Sequence, residues 1–81
     1  MNQAEVLQKV TAVAARVLNL DPASIKPESN FVFDLGAESS QSVELVAGFE
    51  EEFGIEMDED AALAINTIGG AAEFIGKYVK G

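Results

Sequence analysis

Phe31-Val32-Phe33-Asp34-Leu35-Gly36-Ala37-Glu38-Ser39-Ser40-Gln41-Ser42-Val43-Glu44-Leu45, running on through Val46-Ala47-Gly48-Phe49-Glu50-Glu51-Glu52-Phe53-Gly54, is the stretch that decides the fold. Its second half has helical periodicity. Leu45, Val46, Phe49 and Phe53 fall within roughly 100° of arc on a helical wheel, a core-facing stripe. The spacing predicts a helix from about Ser39 to Phe53, and Gly54 supplies a C-terminal stop. Upstream, Gly36 lets the chain turn sharply into the helix start and keeps bulk away from the serines there.

The same reading extends in both directions. Between Gln3 and Leu20, Val6, Leu7, Val10, Val13, Ala14, Val17 and Leu18 share one side of a wheel, opposite Glu5, Gln8, Lys9 and Arg16. This is an amphipathic helix, closed by Asn19-Leu20-Asp21-Pro22. A long connection follows, with room for a short helical turn around Pro22 to Ile25. Ile25, Phe31, Phe33 and Leu35 are expected to pin it to the core, and a loop of this length is often functional. A shorter helix is expected at Glu59 to Ile65, capped by Asp58. A last helix, about Ile68 to Val79, starts at Thr67 and buries Ile68, Ala71, Ala72, Ile75 and Val79. Gly69, Gly70 and Gly76 each cost it up to about 1 kcal/mol relative to Ala, so it should fray. The fold class is all-α: a small four-helix bundle with three main helices, one short helix and a long first loop, forming a single domain over residues 1–81.

Composition narrows the function. The chain has 81 residues, 5 basic and 14 acidic side chains, a net charge of −9, 48% apolar residues, and neither Cys nor His. That is one small domain with a thin core. A disulfide framework, a thiol nucleophile, an imidazole base and a Cys/His metal cage are all excluded. Nucleic acid is not an expected partner, because too few Lys and Arg are present to displace phosphate counterions. No signal-peptide pattern opens the sequence and no apolar run approaches the roughly 20 residues that span a bilayer. The expectation is a cytoplasmic protein without membrane insertion, and not itself an enzyme. The charge also opposes self-association and favours a monomer.

The charge is unevenly placed. Of the 14 acids, 12 lie between Glu28 and Glu73, while no basic residue occurs between Lys26 and Lys77. On the second helix Ser40, Val43, Glu44, Ala47, Glu50 and Glu51 share an arc of roughly 120° away from the core stripe. Glu56, Asp58, Glu59 and Asp60 extend the negative field. A valine ringed by carboxylates suits a docking surface with an apolar centre and a charged rim. The ordinary alternative is a solvated face that keeps the protein soluble.

Ser39 and Ser40 stand where a helix begins. Serine there is commonly a cap. A helix N-terminus also presents unpaired N–H groups and the positive end of the helix dipole, which favours an anion. Nothing local activates either hydroxyl, since the chain has no His.

The segment from Asp34-Leu35-Gly36 through Glu38-Ser39 and Leu45 resembles the modification motif of acyl carrier proteins. The resemblance continues into Glu50-Glu51-Glu52-Phe53-Gly54-Ile55-Glu56, Asp58-Glu59-Asp60 and Asn66-Thr67-Ile68-Gly69, and so covers nearly the whole chain. It implies that Ser39 carries a covalent 4′-phosphopantetheine whose thiol bears acyl groups as thioesters, with Ser40 the second choice for attachment. It also implies a phosphopantetheinyl transferase and acyl-transferring and acyl-modifying enzymes with basic docking patches as partners, in fatty-acid, polyketide or related lipid biosynthesis. Ser40, Val43, Glu44, Ala47, Glu50, Glu51, Glu59 and Asp60 are the expected docking residues. Three positions depart from the family pattern. Glu38 stands in place of Asp, Ser40 replaces the usual apolar residue, and Gln41 replaces an acid. They suggest a specialised carrier.

Small residues at Ala61, Ala62, Ala64, Ala71 and Ala72, beside Phe49, Phe53 and Phe74, leave space for an acyl chain inside the bundle; tight packing of good helix formers is the plain alternative. Two other functions compete with this reading. Counted from Asp58, a calcium loop would put Leu63 at its sixth position and Gly69 at its twelfth, so that pattern fails and no metal site is expected. An unmodified acidic adaptor would share every surface feature and differ only at Ser39. A chain this short offers no evident hydrolase cleft.

Overall fold

The computed structural model describes residues 2–79, with the side chains of all of these except Ser39, Glu59 and Leu63. Helix α1 spans Gln3–Leu18. Asn2 caps it, its Oδ1 accepting the Glu5 N–H at 2.9 Å. It stops short of Leu20 because Asn19 takes the left-handed conformation, φ 56° and ψ 51°, and returns its own N–H to the Ala15 carbonyl. Asparagine is one of the few non-glycine residues that adopts this geometry readily. A short 3₁₀ turn, Pro22–Ser24, follows, begun by Asp21 Oδ1 accepting the Ala23 N–H at 2.9 Å.

Helix α2 is Ser39–Phe53, α3 is Glu59–Leu63 and α4 is Ile68–Gly76. Gly54 closes α2 with a positive φ of 64°, a backbone state that glycine enters without a Cβ penalty. Asp58 caps α3 through the Asp60 N–H. The bundle is all-α; among the described residues the one β-bridge pairs Asn30 with Thr67.

That bridge explains how a glycine-rich helix holds. The first amides of a helix lack intrahelical acceptors. In α4 the Ile68 N–H donates to the Ser29 carbonyl at 3.1 Å and the Gly69 N–H to the Pro27 carbonyl at 2.7 Å. Thr67 Oγ1 takes the Gly70 N–H at 3.0 Å. The Phe31 N–H meanwhile donates to the Asn66 carbonyl at 2.9 Å. The long loop is thus stitched to the start of α4, so the weakening expected from Gly69 and Gly70 is offset at that end. The other end shortens instead, finishing at Gly76 rather than Val79.

Helix α1 packs against both α2 and α4, and α2 against α3. The core contains Val6, Val10, Val13 and Ala14 from α1, Leu45 and Phe49 from α2, and Ile68, Ala71, Ala72 and Ile75 from α4. Ile25 and Phe31 anchor the loop as expected, and Leu35 packs partly against the core. Phe33 does not anchor it: its side chain is 88% exposed. The segment after Asn30 is a single tight turn, in which residues four apart, Phe31 and Leu35, share the inner side and Val32 and Phe33 face out.

Candidate functional site

The approach to α2 is built by short polar side chains. Asn30 Oδ1 accepts the N–H groups of Val32 and Phe33 at 2.9 and 3.0 Å, and Asp34 Oδ2 accepts the Asn30 N–H at 2.7 Å. Asparagine and aspartate stabilise turns in this way because their side chains imitate a backbone hydrogen bond. The Asn30 carbonyl also accepts the Asp34 and Leu35 N–H groups, each at 3.0 Å. Gly36 then takes φ +70°. A Cβ there would meet nothing within 4 Å, so the requirement at Gly36 is one of backbone conformation rather than of space. The Ala37 N–H donates to the Phe31 carbonyl at 2.8 Å, closing the loop on itself.

Glu38, in extended conformation, is the N-cap of α2. Ser39 and Ser40 are therefore the first and second helical residues. The alternative in which Ser39 or Ser40 merely caps the helix does not match this register. Gln41 reaches back instead, its Oε1 accepting the Glu38 N–H at 2.9 Å. Ser39 sits on the helix turn whose amides have no intrahelical acceptor, and that turn contains no acidic residue. An anion there would meet the positive end of the dipole, beside the Glu38 side chain that accepts the Gln41 N–H. The Ser39 side chain itself lies outside the described residues, as does that of Glu59.

Most of the expected docking residues are exposed. Ser40, Val43, Glu44, Ala47 and Glu51 are exposed on α2, Val43 at 54%, and Asp60 is exposed on α3. Glu50 is only half exposed. Its Oε2 accepts the Met57 N–H at 2.8 Å, so it braces the turn between α2 and α3. Glu52 turns the other way and pairs with Lys9 at 3.4 Å, a surface ion pair of small energetic weight. No cluster of acids able to hold a metal occurs among the described residues.

A cavity of about 90 Å³ lies where α2, α3 and α4 converge, lined by Phe31, Leu45, Phe49, Met57, Ala62, Ile65 and Ala71 among others, with Val32 and Ser42 also on its wall. Of the alanines expected to leave such space, Ala62 and Ala71 do so. Ala61 and Ala64 are exposed, and Ala72 is buried elsewhere in the core. Phe31, Val32 and Met57 were not expected here. Each comes from a connecting segment, where helical periodicity carries no signal.

Comparison with known proteins gives the family. The family described as "Phosphopantetheine attachment site" matches residues 8–75. An acyl carrier protein from Thermosynechococcus vestitus (strain NIES-2133 / IAM M-273 / BP-1) is 43% identical over 79 residues, 98% of each chain. Another, from Prochlorococcus marinus (strain MIT 9515), is 45% identical over 75 residues, 93% of this chain and 94% of the relative.

Proposed function

The chain belongs to the acyl carrier protein family, and from that premise we propose that Ser39 bears its 4′-phosphopantetheine and that the exposed face of α2 receives the enzymes that act on it. The protein functions as an acyl carrier. The cofactor supplies the terminal thiol that a chain without Cys lacks, and acyl groups ride on that thiol as thioesters. The remaining tasks fall to the protein's own residues.

The observation that carries the site assignment is the register of α2. Glu38 holds the N-cap, and Ser39 opens the helix ahead of a first turn free of acids. Attachment transfers the phosphopantetheinyl group of coenzyme A to the Ser39 oxygen. The serine proton passes to a base on the transferase, and 3′,5′-adenosine diphosphate leaves. The backbone amides at the helix start then favour the new phosphodiester anion.

Val43 and Ala47 form the apolar part of the docking face, with Ser40 beside them and Glu44, Glu51 and Asp60 as its anionic rim. Such a rim guides cationic enzymes into register and speeds encounter. Glu50 contributes charge while also bracing the α2–α3 turn. The chain acts as a carrier rather than a catalyst, as a single unit over residues 1–81, monomeric and cytoplasmic. Its cargo is fatty acyl, polyketide or a related acyl group. The cavity between α2, α3 and α4 offers the acyl chain an apolar retreat.

Incubation of the unmodified chain with coenzyme A and a broad-specificity phosphopantetheinyl transferase, read by intact mass, tests the assignment. One phosphopantetheinyl adduct is expected on the wild type and on Ser40→Ala, and none on Ser39→Ala. An adduct that survives Ser39→Ala and is lost in Ser40→Ala moves the site by one residue.

A further inference from the structure

The most exposed large apolar side chains among the described residues are adjacent. Phe33 is 88% exposed and Val32 is 56% exposed. Single exposed hydrophobic residues are ordinary on protein surfaces. This pair is different because its backbone is held. Both amides are bound by Asn30 Oδ1, Asp34 Oδ2 locks the turn from the other side, and the Ala37 N–H to Phe31 carbonyl bond closes the loop. The turn therefore presents the phenyl ring on a preorganised support, which reduces the ordering cost of binding.

Its position matters as much as its exposure. The loop ends at Glu38, and Val32 shares a cavity wall with Ser42, one turn along α2 from Ser39. The Val32–Phe33 tip is therefore beside the helix start. The first turn of α2 offers only Ser39, Ser40, Gln41 and Ser42, with no apolar side chain before Val43. Asp34, Glu38 and Glu44, all exposed, surround the region with negative charge.

We propose that the Val32–Phe33 tip is the apolar anchor on which the phosphopantetheinyl transferase seats when it modifies this chain. The inference rests on Ser39 being the attachment residue. Among the partners of a carrier, the transferase is the one that must bring its active site to the serine oxygen itself. Enzymes acting later work on the far end of an arm and can dock at a distance. A transferase also binds coenzyme A, a polyanion, so its reaction surface is furnished with cations that match the acids around Phe33. Its complementary surface is an apolar pocket bordered by Lys or Arg, filled by the phenyl ring on docking. Such an anchor strengthens binding equally before and during reaction, so it acts on KM and not on kcat.

The test is steady-state modification of the full unmodified chain by a broad-specificity phosphopantetheinyl transferase with saturating coenzyme A, followed by intact mass. Phe33→Ser is expected to raise KM for the carrier about tenfold with kcat within about twofold, the size of effect typical of an aromatic interface anchor. Tyr78→Ser removes a different exposed aromatic, 42% exposed on the segment after α4, and should leave both constants unchanged. Phe33 makes no core contacts that would compromise folding, and far-ultraviolet circular dichroism checks this for each variant.

An unchanged KM for Phe33→Ser, or a loss confined to kcat, overturns the anchor while leaving Ser39 in place. Wild-type chain that acquires no adduct overturns both proposals. Two other occupants are distinguished in parallel. A concentration-dependent dimer that Phe33→Ser abolishes, seen by sedimentation equilibrium alongside an unchanged KM, assigns the tip to self-association. Co-sedimentation of wild type but not of Phe33→Ser with neutral phosphatidylcholine vesicles, again with KM unchanged, assigns it to lipid. Either result overturns the proposal.

Discussion

The side-chain oxygen of Gln41 accepts the backbone N–H of Glu38 at 2.9 Å, the uncharged half of a capping box in which the Glu38 side chain accepts the Gln41 N–H in return. An acid at this position could accept the same bond and would add negative charge near Ser39. Gln41→Ala should therefore lower stability by about 0.5–1 kcal/mol through loss of the bond. Gln41→Glu should match or slightly exceed the wild type, because a carboxylate in the first turn also favours the helix dipole. Urea denaturation monitored by circular dichroism measures both.

The Glu50–Met57 hydrogen bond gives Glu50 a structural task besides its place on the proposed docking face. Glu50→Ala leaves the Met57 amide without this acceptor and should cost about 1–3 kcal/mol, the penalty for a poorly satisfied, partly buried donor. Glu50→Gln keeps an acceptor and should recover most of that loss. If the two variants are equally stable in guanidinium titrations, the bond contributes nothing.

Two glycines that look alike in sequence should respond oppositely to alanine. A Cβ at Gly48 would come within 2.8 Å of Val13 Cγ1, on a fully buried, β-branched neighbour in α1 that has little rotamer freedom. Gly48→Ala should destabilise by about 1–2 kcal/mol despite its better helix propensity. A Cβ at Gly76 would meet Gln3 Oε1 at 2.6 Å, the end of an exposed, flexible side chain that can swing aside. Gly76→Ala should stabilise by up to about 1 kcal/mol. Thermal melts of the two variants should shift in opposite directions.

The anionic rim should act on encounter. Glu44→Lys and Glu51→Lys are expected to lower kcat/KM for the transferase several-fold at low salt. The curves for variants and wild type should converge as ionic strength rises past about 0.3 M, where the Debye length falls below roughly 6 Å. A salt-independent deficit would point to a contact rather than to steering.

The cavity predicts a change in protection on loading. Hydrogen exchange at the amides of α3 and the first turns of α4 should slow when a medium-length acyl chain occupies the space beside Phe49, Ala62 and Ala71. Identical exchange in the phosphopantetheinylated and acyl-loaded forms would show that the chain stays outside.

Much of the fold was readable residue by residue. The valines of α1, the Leu45–Phe49 stripe of α2 and the Ile68–Ile75 face of α4 followed from a 3.6-residue period. The stop at Gly54 was readable from residue type, since glycine enters the left-handed region without a Cβ penalty, whereas α1 ends two residues before the expected Leu20. The loop was harder, because no period governs it. Phe31 and Phe33 are the same residue type two positions apart, yet one is in the core and the other in solvent. The difference is made by Asn30 and Asp34, which wind the segment into a turn rather than an extended strand. A useful signal was present in the Asn30-x-x-x-Asp34 spacing, which suits reciprocal side-chain bonds to the backbone.

The sequence alone determined which segments coil, which faces are apolar, and that serines stand at the head of an acid-rimmed helix, because each of these depends on neighbours within about one helical turn. Tertiary structure decided that Pro27, Ser29 and Phe31 tie the loop to Asn66, Ile68 and Gly69, that Glu50 turns inward to Met57, that a cavity remains among α2, α3 and α4, and that Phe33 stands in water. Those outcomes rest largely on hydrogen bonds and packing between segments brought together only by burying the shared core. A local pattern can show that a residue is able to make such a contact, but the meeting of distant segments selects the partner.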